Sequence, residues 1–216
     1  MPKVNEDYIH KKKTQILDAA FVVFQQKPLY EMTMLDVIKE AGLSKGGIYR
    51  YFGDIDEVII ALLNRETAKN NYKHKIDELI ANTDTTVRTI EALFDFLANY
   101  IHNSPATLGK FQFELTVYYA NHPEKVEKFK SNLTEQENGQ YFISTLFNEI
   151  TKGVNKEEFQ ALFPLQDIFT FIMTSIDGAV HKVVMQRCYN VNANPIDVRQ
   201  MFKMISCSVV HMLGVK

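Results

Sequence analysis

Lys45, Tyr49 and Arg50 are long, polar-tipped residues crowded into the stretch TMLDVIKEAGLSKGGIYRYF, residues 33–52. On a helix, Lys45 and Tyr49 share one face, with Arg50 beside them. A guanidinium can grip a guanine edge through two hydrogen bonds, while ammonium and phenol groups commonly hold phosphate. Gly46 and Gly47 each cost a helix roughly 1 kcal/mol relative to Ala, and a helix tolerates them where its backbone must approach something outside. Thr33 and Ser44 stand at candidate helix starts, whose free N–H groups favour anions such as phosphate. Tyr51 borders the apolar Ile48/Phe52 pair and is compatible with packing or with contact. The chemistry implied is docking on a nucleic acid through Thr33, Ser44, Lys45, Gly46, Gly47, Tyr49, Arg50 and Tyr51. The upstream run Lys11-Lys12-Lys13 fits either a solvated helix face or a further phosphate contact.

These residues need short, well-capped elements to aim them. Ile16, Ala19, Ala20, Val23 and Phe24 recur at helical spacing and predict a first helix over about 8–26. Thr33 followed by Asp36 is a capping-box-like start for a second helix, with Leu35, Val37, Ile38 and Ala41 as its buried side. Gly42 ends it, and Ser44 caps a third helix that runs to about Phe52. Two short helices joined by a Gly-containing turn form a helix-turn-helix, whose second helix enters the DNA major groove. Asp54 with Glu57 starts a long fourth helix over about 54–80. Further helices are expected over about 84–103, 105–121, 123–152, 160–189 and 195–214. Pro105, Pro123 and Pro195 suit first helical turns. No period-2 strand pattern interrupts them. The expected fold is all-α, with about nine helices: a three-helix DNA-binding domain over 1–53, then a helical bundle over 54–216.

The segments ILDAAFVVF and TMLDVIKEAGLSKGGIYRYFGDIDEV resemble the DNA-binding domain of the TetR family of transcriptional regulators. Ile16, Leu17, Ala19, Ala20, Phe24, Thr33, Ala41, Gly42, Ser44, Gly46, Tyr49, Tyr51 and Phe52 match that family's pattern, with Val37 for Ile and Leu43 for Val. The resemblance implies a homodimer that binds a palindromic double-stranded operator and answers to a small-molecule effector. One departure stands out. The family usually places a phosphate-holding Lys just after the Tyr-Phe turn, where this chain has Ile55 between Asp54 and Asp56. Ile55→Lys is therefore expected to raise operator affinity and to steepen its salt dependence by about one unit of slope.

In the family the C-terminal part binds ligand and dimerises. Here the segment Phe111 to Phe129 resembles an aromatic–Glu–aromatic, then Pro-Glu, pattern found in a subset of members. Apolar residues wrap nearly the whole circumference of the helix over 160–189, and the last helix carries a wide apolar band. This points to an intermolecular four-helix bundle with Ile172, Ile176, Ala179, Val183, Met201, Ile205 and Val209 at the dimer interface, or to an intramolecular core. Fifteen Phe, ten Tyr and eight Met supply adaptable apolar surface. A mostly apolar ligand pocket with a few polar anchors is expected at Phe96, Tyr100, Phe111, Glu114, Tyr118, Tyr141, Asp177 and His181; the same aromatics equally suit an ordinary core. Glu114 is the preferred anchor for a cationic or hydrogen-bond-donating ligand.

Net charge is −2, but residues 1–52 carry +2 and the remainder −4, which allows a DNA-binding front end. Two cysteines, Cys188 and Cys207, do not suggest a disulfide framework and fit the cytoplasm. The first residues lack a signal-peptide pattern, and no apolar run reaches the roughly 18 residues of a membrane span. No phosphate loop, nucleophile elbow or zinc-protease motif is present, so no enzyme activity, metal or cofactor is expected. The reading is a repressor released from its operator by a small amphipathic ligand. The alternatives are control by a protein partner, action as an activator, or a helical enzyme or carrier.

Overall fold

The computed structural model describes residues 6–69, 71–103, 107–133, 136–189 and 196–215. Among these, eleven α-helices and two 3-10 turns form the chain, and the one strand-like feature is an isolated bridge between Phe159 and Val215. The expected breaks at Pro105 and Pro195 lie outside the described residues. The chain divides into two compact units, one of residues 1–70 and 111–135, the other of 71–110 and 136–216.

The first unit holds α1 (Glu6–Gln26), a 3-10 turn (Leu29–Glu31), α2 (Met34–Ala41), α3 (Lys45–Tyr49) and α4 (Ile55–Lys69). It also takes most of α7 (Thr107–Asn121), a turn at Pro123–Lys125 and α8 (Val126–Asn132). Ile16, Ala20, Phe24, Val37, Ile48, Val58, Leu62, Phe111 and Phe129 are fully buried in one core. Phe111 stacks on Phe24, ring centroids 3.7 Å apart and planes within 6°. On α2 the buried stripe is Met34, Val37, Ile38 and Ala41. Leu35, expected inside, is 58% exposed because it lies off that i, i+3, i+4, i+7 row.

The second unit packs α5 (Lys73–Ala81), α6 (Thr86–Asn103), α9 (Gln136–Asn155), α10 (Leu165–Cys188) and α11 (Val198–Met212) around Phe94, Leu146, Ile150, Ile172, Phe202 and Val209. α11 lies against both α6 and α10. The end of the chain is stitched in by Gln160 N–H to Gly214 O (3.1 Å) and Leu162 N–H to Met212 O (2.9 Å), with Gly214 in the left-handed region at φ +59°. α10 is long and apolar enough to span a membrane by composition, contrary to the sequence expectation. Its Ile168, Ile172, Ile176, Ala179, Val183 and Val184 are buried in the unit's core.

Three expected helices are interrupted or shortened. The helix over 54–80 stops at Lys69 and resumes at Lys73. Asn71 Oδ1 accepts the Lys73 N–H at 3.1 Å, an Asx contact that competes with helix continuation, and Tyr72 leaves helical geometry to bury its ring against Phe96 and Tyr100. The helix over 123–152 becomes the Pro123–Lys125 turn, α8 and α9, since Leu133 is extended at φ −87°, ψ 119°. α10 begins at Leu165, after an extended Pro164, because a residue before Pro is biased out of the helical region. These breaks account for the excess over nine helices.

Candidate nucleic-acid interface

Every joint of the α2–turn–α3 unit is closed by its own sequence. Thr33 Oγ1 accepts the Asp36 N–H at 3.2 Å, and Asp36 Oδ2 accepts the Thr33 N–H at 2.9 Å, which completes the capping box. Lys27 pairs with the same carboxylate at 2.9 Å. Gly42 takes φ +63°, ψ +30°, a conformation that costs other L-residues energy, and Leu43 N–H returns to Ile38 O at 3.3 Å. Ser44 Oγ accepts the Gly47 N–H at 3.2 Å to start α3. α3 is shorter than expected. After Tyr49 the chain turns, and the Tyr51 and Phe52 N–H groups both donate to Ile48 O.

That frame turns Ile48 and Phe52 inward and leaves Lys45, Gly46, Tyr49 and Arg50 exposed. The Lys45 ammonium stands 5.9 Å from the Tyr49 ring centroid. A Cβ built on Gly46 would meet nothing within 4 Å, so no internal packing demands Gly there. Thr33 and Ser44 are exposed, while Gly47 and Tyr51 are half-buried, with Tyr51 packed against the core.

The Thr33 hydroxyl, with Lys27, holds the Asp36 carboxyl below the usual carboxylate range. A depressed folded pKa contributes stability that is present above the unfolded value and lost as pH falls through the folded one. Thr33→Ala should therefore cost about 1 kcal/mol at neutral pH, and the gap between variant and wild type should narrow in acid. Urea titrations at neutral pH and near pH 3 check both statements.

Just beyond the motif, Asp54 Oδ1 accepts the Glu57 N–H (2.8 Å) and Glu57 Oε2 accepts the Gly53 N–H (2.7 Å), so α4 starts doubly capped. Asp56 is 6% exposed and faces inward. Tyr118 donates to its Oδ1 at 2.8 Å, Lys125 reaches the same oxygen at 3.1 Å, and Lys125 also donates to the Tyr118 oxygen at 2.7 Å. Lys128 joins Asp54 at 2.7 Å and Asp56 at 3.4 Å. Burial acts to lower the Lys125 ammonium, but its bonds to Tyr118 and Asp56 outweigh this and raise it. Burial likewise acts to raise Asp54, and the Lys128 bond and charge together with the Glu57 and Asp56 N–H groups outweigh it and lower the carboxyl. Asp54 and Asp56, which flank Ile55, are thus both paired with lysines of their own unit. Ile55 is half-buried against the core. Lys125 and Lys128 escaped the sequence reading because about 70 residues separate them from their partners, and no local pattern marks such pairs.

The eight expected pocket residues are divided between the two units. Phe111, Glu114 and Tyr118 belong to the first unit's interior, where the Glu114 carboxylate accepts the Leu29 N–H and so caps the 3-10 turn. Glu114 is occupied by the fold and is not a free anchor. In the second unit, Phe96 and Tyr100 pack with Tyr72, and Tyr141 donates to Asp77 with Lys73 over its ring at 5.7 Å. Asp177 and His181 are exposed on α10. Of the expected interface residues, Ile172, Ile176, Ala179, Val183, Ile205 and Val209 are buried within the chain itself and Met201 is half-buried, because α11 already covers that side of α10. The exposed large residues of these helices are Phe171 (39%) and Met204 (61%).

A capped three-helix unit that presents Lys45, Tyr49 and Arg50 on a short second helix defines a helix-turn-helix DNA-binding protein. Residues 16–62 match the family described as bacterial regulatory proteins, tetR family. The chain is 28% identical over 183 residues to the HTH-type transcriptional regulator YfiR of Bacillus subtilis, covering 85% of each chain. It is 24% identical over 155 residues to IcaR of Staphylococcus epidermidis, a negative regulator of the biofilm operon, covering 68% of this chain and 75% of the relative. Among solved structures, FadR of Bacillus subtilis in complex with stearoyl-CoA superposes with a TM-score of 0.59 at 16% identity, over 94% of this chain and 99% of that one. Residues 16–62 thus match a TetR-type DNA-binding domain, and the chain as a whole is similar to HTH-type transcriptional regulators, which makes it a DNA-binding transcriptional regulator.

Proposed function

We propose that the protein is a homodimeric cytoplasmic repressor that reads a palindromic operator through α3 and is released by a small amphipathic ligand. The observation that carries this reading is the self-capped α2–turn–α3 unit, which exposes Lys45, Gly46, Tyr49 and Arg50 while Ile48 anchors it. Two copies related by a twofold axis would place their α3 helices in major grooves one helical turn or a multiple of it apart. Selection of bound duplexes from a random pool should enrich an inverted repeat. Failure to retain any duplex at low salt would remove the reading.

The dimer surface is assigned to the exposed side of α10 and α11. Phe171, Thr174 and Gly178 follow one another at helical spacing on α10, and Met204, Cys207 and His211 do so on α11. On the side of α11 that faces α6, a groove of about 540 Å³ is lined by Glu91, Leu162, Cys207, Val210, His211 and Val215. Small and apolar residues along such a band suit two-by-two helix packing. Phe171→Asp with Met204→Glu should convert the dimer to a monomer in sedimentation velocity; an unchanged mass would refute the assignment.

For the ligand, support comes from the similarity to FadR, whose structure holds stearoyl-CoA, and from the aromatic group Tyr72, Phe96 and Tyr100 between α5 and α6. Tyr72 meets the other two rings edge-on and leaves Phe96 and Tyr100 half-buried, an apolar surface that an acyl chain or a flat ligand can cover. A ligand that moves the protein from mostly bound to mostly free must discriminate between the two states by roughly 5.5 kcal/mol for a 1:99 to 99:1 change.

A further inference from the structure

The basic run at 11–13 is left unused by the helix-turn-helix, yet one of its members sits beside it. Lys13 precedes Ile16 by three residues and Ala20 by seven, so it prolongs the core-facing stripe of α1 toward the helix N-terminus. There the stripe runs past the core. Lys13 is exposed, and its ammonium lies 5.8 Å from the ring centroid of Phe52. Among the described residues no carboxylate pairs with it. Phe52 closes the recognition turn, and Ile55 follows it by three residues around Gly53. The position where the family resemblance implies a phosphate-holding Lys carries the half-buried Ile55, packed against the core, while an unpaired cation is delivered from α1 to the same end of the motif. The nearby carboxylates do not compete for it, since Asp54 and Asp56 are engaged by Lys125 and Lys128 and Glu57 by the Gly53 N–H. The Phe52 ring face restrains the Lys13 stem without neutralising its charge.

We propose that Lys13 is a DNA-contacting residue that holds the backbone phosphate left unserved by Ile55. This inference rests on the docking of α3 proposed above. It predicts coupling between two residues from different helices. Lys13→Gln should lower the slope of log affinity against log salt by about one unit per protomer, and Lys13→Arg should preserve it. Ile55→Lys should restore the slope in the Lys13→Gln background but, in contrast to the steepening expected from the sequence alone, add little to the wild type, because one phosphate accepts one such partner. The probe is a labelled duplex that the protein has itself selected from a random pool, titrated across salt by fluorescence anisotropy. Thermal melts establish that each variant is folded, and Lys75→Ala, an exposed charge on α5, serves as the reference substitution.

Equal gains from Ile55→Lys in both backgrounds would show two separate phosphates and overturn the inference. An unchanged slope in Lys13→Gln, with Lys45→Ala still lowering it, would overturn the role of Lys13 alone. If Lys45→Ala and Lys13→Gln both leave the slope intact, the docking of α3 itself falls.

Discussion

Asp56→Ala should destabilise the protein by about 3 kcal/mol, the lower end of what is lost when one partner of a buried ion pair is removed. The lower end applies because Lys125 and Lys128 keep 31% and 39% of their side chains exposed, so water can partly rehydrate them once the carboxylate is gone. Lys125 and the Tyr118 hydroxyl would then lose their carboxylate partner, while Lys128 keeps Asp54. For a chain of this length the melting temperature should fall by roughly 6–12 °C. Removing the charge that remains should reverse much of the loss, so Asp56→Ala with Lys125→Met is expected to recover more than half of it. Two-state urea titrations of both variants decide the matter. A loss below about 1 kcal/mol in the single variant would mean that the cluster behaves as an ordinary surface pair. Operator affinity should fall in the same variant, since Asp56 fixes the start of α4 directly after the recognition turn.

The second large effect concerns recognition. Arg50→Ala should weaken binding by about 1–3 kcal/mol per half-site and relax preference at one base pair in each, if its guanidinium takes a base edge. Lys45→Ala should weaken all sequences alike and lower the salt slope by about one unit per protomer. Anisotropy titrations on the selected duplex and on single-base variants separate the two behaviours. Arg50→Ala losing affinity uniformly, with its sequence preference intact, would reassign Arg50 to phosphate.

The motif was legible because its signals are local. Thr33 with Asp36, Gly42 and Ser44 each act within four residues, and the structure satisfies each as its spacing suggests. The C-terminal part was legible only as helix. Periodicity showed that α10 and α11 carry wide apolar bands, but not which flank a neighbouring helix of the same chain would cover, so residues read as a dimer surface proved to be core. Glu114 misled for a related reason. An acid among aromatics signals a polar demand, and here the demand comes from the Leu29 N–H, 85 residues away in sequence. The break at Asn71–Tyr72 was hidden because burial of the Tyr72 ring, a tertiary effect, overrides a helix-compatible sequence.

The stacking of Phe111 on Phe24, the Glu114 cap on the 3-10 turn and the Asp56 cluster together carry a practical consequence for protein engineering. A chimera that grafts residues 1–53 onto the effector half of a relative would strip Phe24 of its stacking partner and leave the Leu29 N–H without an acceptor. The transferable reading head is a split cassette: residues 6–69 together with 111–133, to be exchanged as a pair.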